Sequence, residues 1–261
     1  MRGFSGASGY ALSALVALVA LARPAIAHPT SVELAAKFAR GEYLAAATAA
    51  EAAAGADDMA FAARSLLAHC MTGTERLDPA ILERARRDAE AALQLDPGHD
   101  EGRLQLAIAL SLKSRDMDAM AAWNAGYGEK GRKLAEDVLK SDPHNQYAHG
   151  FLAVWNLEVE QRGGGMGAWI MGASRDDARK HYDLARALAP DDVGIHWQYA
   201  RALAALDLKG RWKDVREALD RALAAAATDH VEQVMQARAR LLVDAMTGDR
   251  DMAQNLARSL L

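Results

Sequence analysis

The residues that decide the fold run from Leu134 to Tyr199: LAEDVLKSDPHNQYAHGFLAVWNLEV (134–159), EQRGGGMGAWIMGAS (160–174) and RDDARKHYDLARALAPDDVGIHWQY (175–199). One helical pattern stops at Ser141-Asp142-Pro143 and a second begins at once. A glycine-rich insert intervenes, and then the helix–proline–helix unit returns, stopping at Leu188-Ala189-Pro190. Proline stops a helix because it lacks an N–H and pushes the preceding residue out of the α region.

Three segments share one spacing. Ala85, Ala89, Ala92 and Pro97 are separated by four, three and five residues. Gly131, Ala135, Val138 and Pro143 repeat that pattern, and so do Ala178, Tyr182, Ala185 and Pro190. Offsets of four and seven put the first three residues of each set on one helical face. Small residues there let a neighbouring helix approach closely. Recurrence at a fixed period marks a stacked array of hairpins. The chain is alanine-rich, holds few prolines and shows no sustained alternation of apolar and polar residues, so the class is all-α.

On these residues the chain resembles the tetratricopeptide repeat (TPR) family. Ala91-Ala92-Leu93-Gln94-Leu95-Asp96-Pro97 and Leu184-Ala185-Arg186-Ala187-Leu188-Ala189-Pro190 look like the end of that repeat's second helix. Gly41-Glu42-Tyr43, followed by Ala46, Ala50 and Ala53, looks like its start. So does Gly210-Arg211-Trp212, followed by Val215, Leu219 and Ala222. The resemblance implies a right-handed superhelix of about six antiparallel hairpins. They pair 31–40 with 42–54, 59–71 with 79–95, 100–113 with 129–141, 145–160 with 175–188, 192–206 with 212–226, and 230–246 with 249–260. Asp78-Pro79 reads as a cap with proline at the first helical position, Ser174 with Asp177 as a capping box, and Thr247-Gly248 as a helix stop.

The departures from the family are informative. Its period is about 34 residues, whereas Pro97, Pro143 and Pro190 lie 46 and 47 apart. The excess falls at 114–128 and 161–173, between the first and second helices of two consecutive repeats. Both inserts should therefore emerge on one edge, carrying Trp123, Trp169, Met117, Met120, Met166 and Met171. With these features the chain is similar to bacterial TPR relatives of the regulator of microtubule dynamics family. It is more loosely similar to the TPR subunit associated with tripartite ATP-independent periplasmic transporters. Neither resemblance implies a catalytic residue.

The N-terminus predicts export. Met1-Arg2 precedes an apolar run from Tyr10 to Ala22, and Ala25-Ile26-Ala27 has the small–x–small pattern of a cleavage site. The run is short of the ~20 residues a membrane-spanning helix needs. Residues 1–27 thus read as a signal peptide and 28–261 as one periplasmic repeat domain, with no stable span after cleavage. Losing Arg2 and Arg23 leaves 29 basic against 35 acidic residues, a formal charge of −6. That is a poor footprint for nucleic acid. Cys70, the single cysteine, reads as a small buried residue with no disulfide partner.

No catalytic motif stands out. The insert at Gly163–Trp169 lacks the preceding strand and the Lys-Ser/Thr pair of a phosphate loop, so it reads as a linker or tight turn, or as a ligand lid. The eight histidines form no four-residue helical pair and have no cysteine cluster to join, so neither a metal nor a cofactor is expected. Glu83–Asp88 reads as a solvated face of alternating charge. Trp155 and Trp197 fall on first helices, which line the concave face of such arrays, although aromatics at helical spacing are more often buried in core packing between helices. Trp197 sits within Ile195-His196-Trp197-Gln198-Tyr199, an aromatic and hydrogen-bonding mixture suited to a binding groove. The resemblance implies Tyr147, Glu158 and Arg201 as its groove-facing companions, and Trp169, a costly apolar residue for a linker, completes the candidate partner-binding residues. The expected function is an exported, non-enzymatic adaptor holding a protein or peptide in its concave groove, with self-association left open. The alternative is a small-solute-binding accessory of a periplasmic transporter, in which Trp123 and Trp169 close over an apolar pocket.

Overall fold

The computed structural model describes residues 32–73, 77–115 and 117–260. The expected signal peptide, with its cleavage site after Ala27, lies outside the described residues. Thirteen helices are found among those described: α1 (Val32–Ala39), α2 (Tyr43–Ala53), α3 (Ala56–Thr72), α4 (Pro79–Leu95), α5 (Asp100–Arg115), α6 (Ala119–Asn124), α7 (Tyr127–Ser141), α8 (Gln146–Met171), α9 (Arg175–Leu188), α10 (Val193–Asp207), α11 (Trp212–Ala224), α12 (His230–Met246) and α13 (Arg250–Ser259). They form six antiparallel hairpins stacked in chain order, with α6 as an extra helix in the third.

The repeat faces behave as their spacing predicts. Ala85, Ala89 and Ala92 are fully buried, and so are Ala135, Val138, Ala178 and Ala185, while Tyr182 is nearly so. The helices α4, α7 and α9 each end two residues before their proline. Ala53, aligned with the same face in α2, is exposed, because that helix ends there and Ala54 turns into the left-handed region. The cap at Asp78 accepts from the Ala80 N–H at 2.8 Å, and Ser174 Oγ accepts from the Asp177 N–H at 3.0 Å. Asn145, Asp192, Asp229 and Asp249 cap α8, α10, α12 and α13 in the same way.

A further device recurs with the prolines. Six residues beyond each one, a side chain on the next helix donates back to the proline carbonyl: Arg103 to Pro97 at 2.9 Å, His149 to Pro143 at 3.1 Å, and His196 to Pro190 at 2.8 Å. Each histidine spends its Nε2–H on this bond, which leaves Nδ1 as an acceptor. The Tyr182 hydroxyl donates to His196 Nδ1 at 2.8 Å, and His181 Nδ1–H donates to His149 Nδ1 at 2.9 Å. Burial holds all three imidazoles below their ordinary pKa, His181 down to about 4 with His149 as a second cause. These histidines are structural.

The core is densest around α10, which packs against α8, α9, α11, α12 and α13. Its residues from Tyr199 to Ala205 are all buried, as expected of a helix packed among five others. Tyr182 and Tyr199 stack at 3.8 Å. Cys70 is buried, and burial raises its thiol pKa to about 11.

Three expectations are corrected. Glu83–Asp88 is a tie between helices rather than a solvated face. Arg84 reaches Glu51 with two bonds of 2.6 Å, Lys113 reaches Glu83 at 2.6 Å, and Asp88 is half-buried. The glycine-rich insert is neither linker nor turn. Helix α8 continues through it, broken only at Gly164 (φ 62°, ψ −169°) and ended by Gly172 in the left-handed region. The first insert likewise folds, as α6.

The third correction concerns the concave face, which is not an open groove. The superhelix turns until its last hairpin meets its first two. The Arg238 guanidinium donates to the Met71 and Gly73 carbonyls, Tyr43 and His230 share a hydrogen bond of 3.1 Å, and Phe38 and Val231 join one apolar cluster. Gly41 sits at this seam with φ +82°, and a Cβ there would fall 2.9 Å from His230 Nδ1.

Candidate binding cavities

Alternate helices of an up-down array run parallel, so α1, α3, α5, α8, α10 and α12 surround a common space. They enclose a central cavity of about 300 Å³. Its walls are apolar where Phe38, Ile108, Val154, Ile195, Val231 and Met235 face inward. Arg64, Gln105, Tyr147 and Gln198 interrupt them.

One end of the cavity is ionic. Arg201, 4% exposed, donates from Nη2 to Glu158 Oε1 at 2.6 Å and from Nε to Gln198 at 3.1 Å. Arg115 reaches the same carboxylate at 3.3 Å, and its other guanidinium nitrogen donates to the Arg258 and Leu260 carbonyls. Burial pushes the Glu158 carboxyl up, but Arg201, Arg115 and, more weakly, Arg162 outweigh it and hold its pKa below the ordinary value. The side chain keeps 21% of its surface. Glu158 lines both this cavity and a second one between the inserts. The opposite end carries Asp192 and Asp229, the caps of α10 and α12, with Tyr147 at the rim.

A second cavity of about 240 Å³ lies between the inserts and shares Ser111, Phe151, Trp155 and Glu158 with the first. Its remaining walls include Trp123 of α6, Tyr127, and Gly163, Gly167 and Met171 of α8. The two inserts do meet on one edge. Arg162 bonds Ser114 Oγ at 2.9 Å, the Ser114 carbonyl at 2.7 Å and the Met117 carbonyl at 2.8 Å. Trp155 anchors this wall: its Nε1–H donates to the Gly128 carbonyl at 2.8 Å, and Arg132 lies over its ring.

Of the five residues proposed from the sequence, the structure brings Tyr147, Glu158 and Arg201 to the central cavity. Trp197 is fully buried in the core around α10 and faces neither cavity. Trp169 is 81% exposed on the outer surface and lines neither. The expected lid is therefore only half present, because Trp123 borders a pocket and Trp169 turns away. Ile195 and Gln198 of the stretch around Trp197 do line the central cavity, and Arg64, Gln105 and Arg115 line it without having been singled out. They come together only through the superhelical turn, and no local pattern marks them. Among the described residues no group of three or more His, Cys, Asp or Glu side chains is placed to hold a metal ion. No helix there is long and apolar enough to cross a membrane.

No protein-family model matches the sequence, and no curated protein does. Among solved structures, the chain is similar to a thermophilic TPR protein from Thermus thermophilus. The identity is 22%, the TM-score is 0.55, and the match covers 80% of this chain and 95% of that one. With the stacked hairpins, the buried small-residue faces and the proline stops, this likeness makes the fold a TPR-like helical-repeat superhelix.

Proposed function

We propose that the protein is an exported, non-catalytic binding module that holds an extended protein segment in its central cavity. The observation that supports this most is the lining of that cavity. Apolar walls alternate with Gln105, Gln198 and Arg64, side chains able to meet the backbone donors and acceptors of a single extended strand. Contact between the last and first hairpins leaves no open groove for a folded partner, which favours a peptide or a chain end. The sequence of residues 1–27 supports delivery to the periplasm, with His28 as the first residue of the mature chain.

The test is selection of short peptides on the mature chain, followed by binding titrations against a variant with the cavity filled, Val154→Trp. Selected peptides should lose measurable affinity for the filled variant while its helix content stays unchanged. Undiminished binding would sink the reading. A second reading, a small-solute-binding accessory of a transporter, is favoured by the enclosure of the same cavity by helices around its circumference. Native mass spectrometry of protein purified from the periplasm separates the two: a retained small molecule selects the solute, and a retained peptide selects the first.

A further inference from the structure

Both inserts leave apolar surface uncovered beside a pocket. On the second half of α8, Gly163, Gly167 and Met171 line the insert cavity. From the same short segment Met166 (77% exposed), Trp169 (81%) and Ile170 (53%) face solvent. Alongside, Met120 of α6 is exposed, and Trp123 both borders the cavity and stands half in solvent. An apolar stripe at helical spacing is normally covered, and a contiguous exposed patch of this kind marks an interaction surface. No charged residue occurs from Gly163 through Ser174, so a surface laid over this stretch desolvates no ion.

The pocket suits a flat ring. Its walls include Trp123, Tyr127, Phe151 and Trp155, and bare backbone completes them: a Cβ added at Gly126, Gly163 or Gly167 would meet no atom within 4 Å. Its guanidinium, Arg162, is committed to Ser114 and Met117, so the site does not call for an anion.

We infer that two copies of this chain associate along this edge, each inserting Trp169 into the insert cavity of the other. Donor and acceptor lie on opposite faces of one short helical segment. A two-fold axis beside that segment brings both insertions into register at once, giving a self-complementary interface. Two buried tryptophans supply roughly 300–500 Å², a minority of the ~1,200–2,000 Å² of a standard interface. Met120, Trp123, Met166 and Ile170 of both copies must contribute the rest, so the association is reversible rather than obligate. A lipid surface fits less well. Asp118, Asp176 and Asp177 flank the patch and are exposed, and the nearest arginines, Arg162 and Arg175, are already bonded within the chain.

Sedimentation equilibrium of the mature chain over a range of concentrations tests this. The wild type should show a monomer–dimer equilibrium. Trp169→Ala should weaken it at least tenfold. Gly167→Leu should do the same by filling the pocket from its own side, in space that is open and at a helical position. Mixing the two variants should restore association above that of either alone, because the mixed pair retains one tryptophan and one open pocket. A chain that stays monomeric overturns the inference, as does a dimer indifferent to both substitutions. Trp169-dependent co-sedimentation of a monomer with phosphatidylglycerol vesicles would reassign the edge to lipid and equally overturn it. A cavity-filled Val154→Trp chain should dimerise normally, which separates this result from the fate of the peptide reading.

Discussion

Helix α10 and the second half of α8 carry the same kind of residue to opposite fates. Both present a tryptophan close to an isoleucine on a helix, yet Trp197 is fully buried and Trp169 is 81% exposed. Five helices surround α10. The segment after Gly164 instead turns only one side to its own chain, where Ala168 joins Trp155 and Ala173 in a small cluster. The contrast shows that residue type and period specify a helix and a face, whereas burial depends on how many neighbours the superhelix supplies. The sharpest way to break the comparison is to truncate both rings. Trp197→Ala should cost about 3–5 kcal/mol, while Trp169→Ala should change the stability of the dilute monomer by no more than ~0.5 kcal/mol. Urea unfolding of both variants at low protein concentration measures the difference, and similar losses would refute it.

Glycines sharpen the same contrast. At Gly164 there is room for a side chain, since a Cβ would meet nothing within 4 Å, but φ 62° with ψ −169° is a conformation essentially reserved for glycine. Gly164→Ala should therefore cost ~1–3 kcal/mol through the backbone alone. Its neighbour Gly163 is helical and equally uncrowded, so Gly163→Ala should stabilise by ~0.5–1 kcal/mol. Thermal unfolding of the pair should shift in opposite directions. At the seam, Gly41→Ala combines both penalties. The left-handed backbone costs ~1–2 kcal/mol, and the His230 ring must also move. Faster hydrogen exchange in residues 36–46 and 228–238, with none in α10, would report a loosened seam rather than global unfolding.

How much of this was legible in the sequence follows from the range of each interaction. Helices, proline stops and caps are set within a few residues. The spacing of Ala178, Tyr182 and Ala185 or the pairing of Ser174 with Asp177 therefore placed them correctly. The inserts were legible as departures in length but not in conformation, because a run of glycines weakens helix propensity while contacts with Trp155 and Arg132 restore the helix. Contact of the last hairpin with the first was not legible. Gly41 and His230 lie far apart in the chain, and only the accumulated twist of six hairpins brings them together. The same holds for Arg115 with Glu158 and Arg201, and it explains why a groove was expected where a cavity is found.

The smallest effect concerns pH, and here two buried sites pull against each other. His149, His181 and His196 are held neutral in the fold, with pKa values below the 6.5 of an unfolded chain. Between pH 6.5 and about 4 the unfolded chain takes up protons that the folded one refuses, so stability falls as pH falls through that window. Asp88 acts in the other direction. Burial and then the Glu51 carboxylate raise its pKa to about 7, so between roughly pH 4 and 7 the folded chain holds a proton that the unfolded chain has lost. Acidification there adds stability. Carboxylates depressed by ion pairs, such as Glu83 and Asp137, both near 2, act mainly below this window. The wild-type urea midpoint between pH 7 and pH 4.5 therefore carries a histidine-driven decline and an opposing rise from Asp88. His181→Gln, which keeps a donor toward His149, should flatten that decline. Asp88→Asn should steepen it, because it removes a group whose protonation favours the fold. A decline unchanged by either substitution would place the titrating groups elsewhere in the repeats.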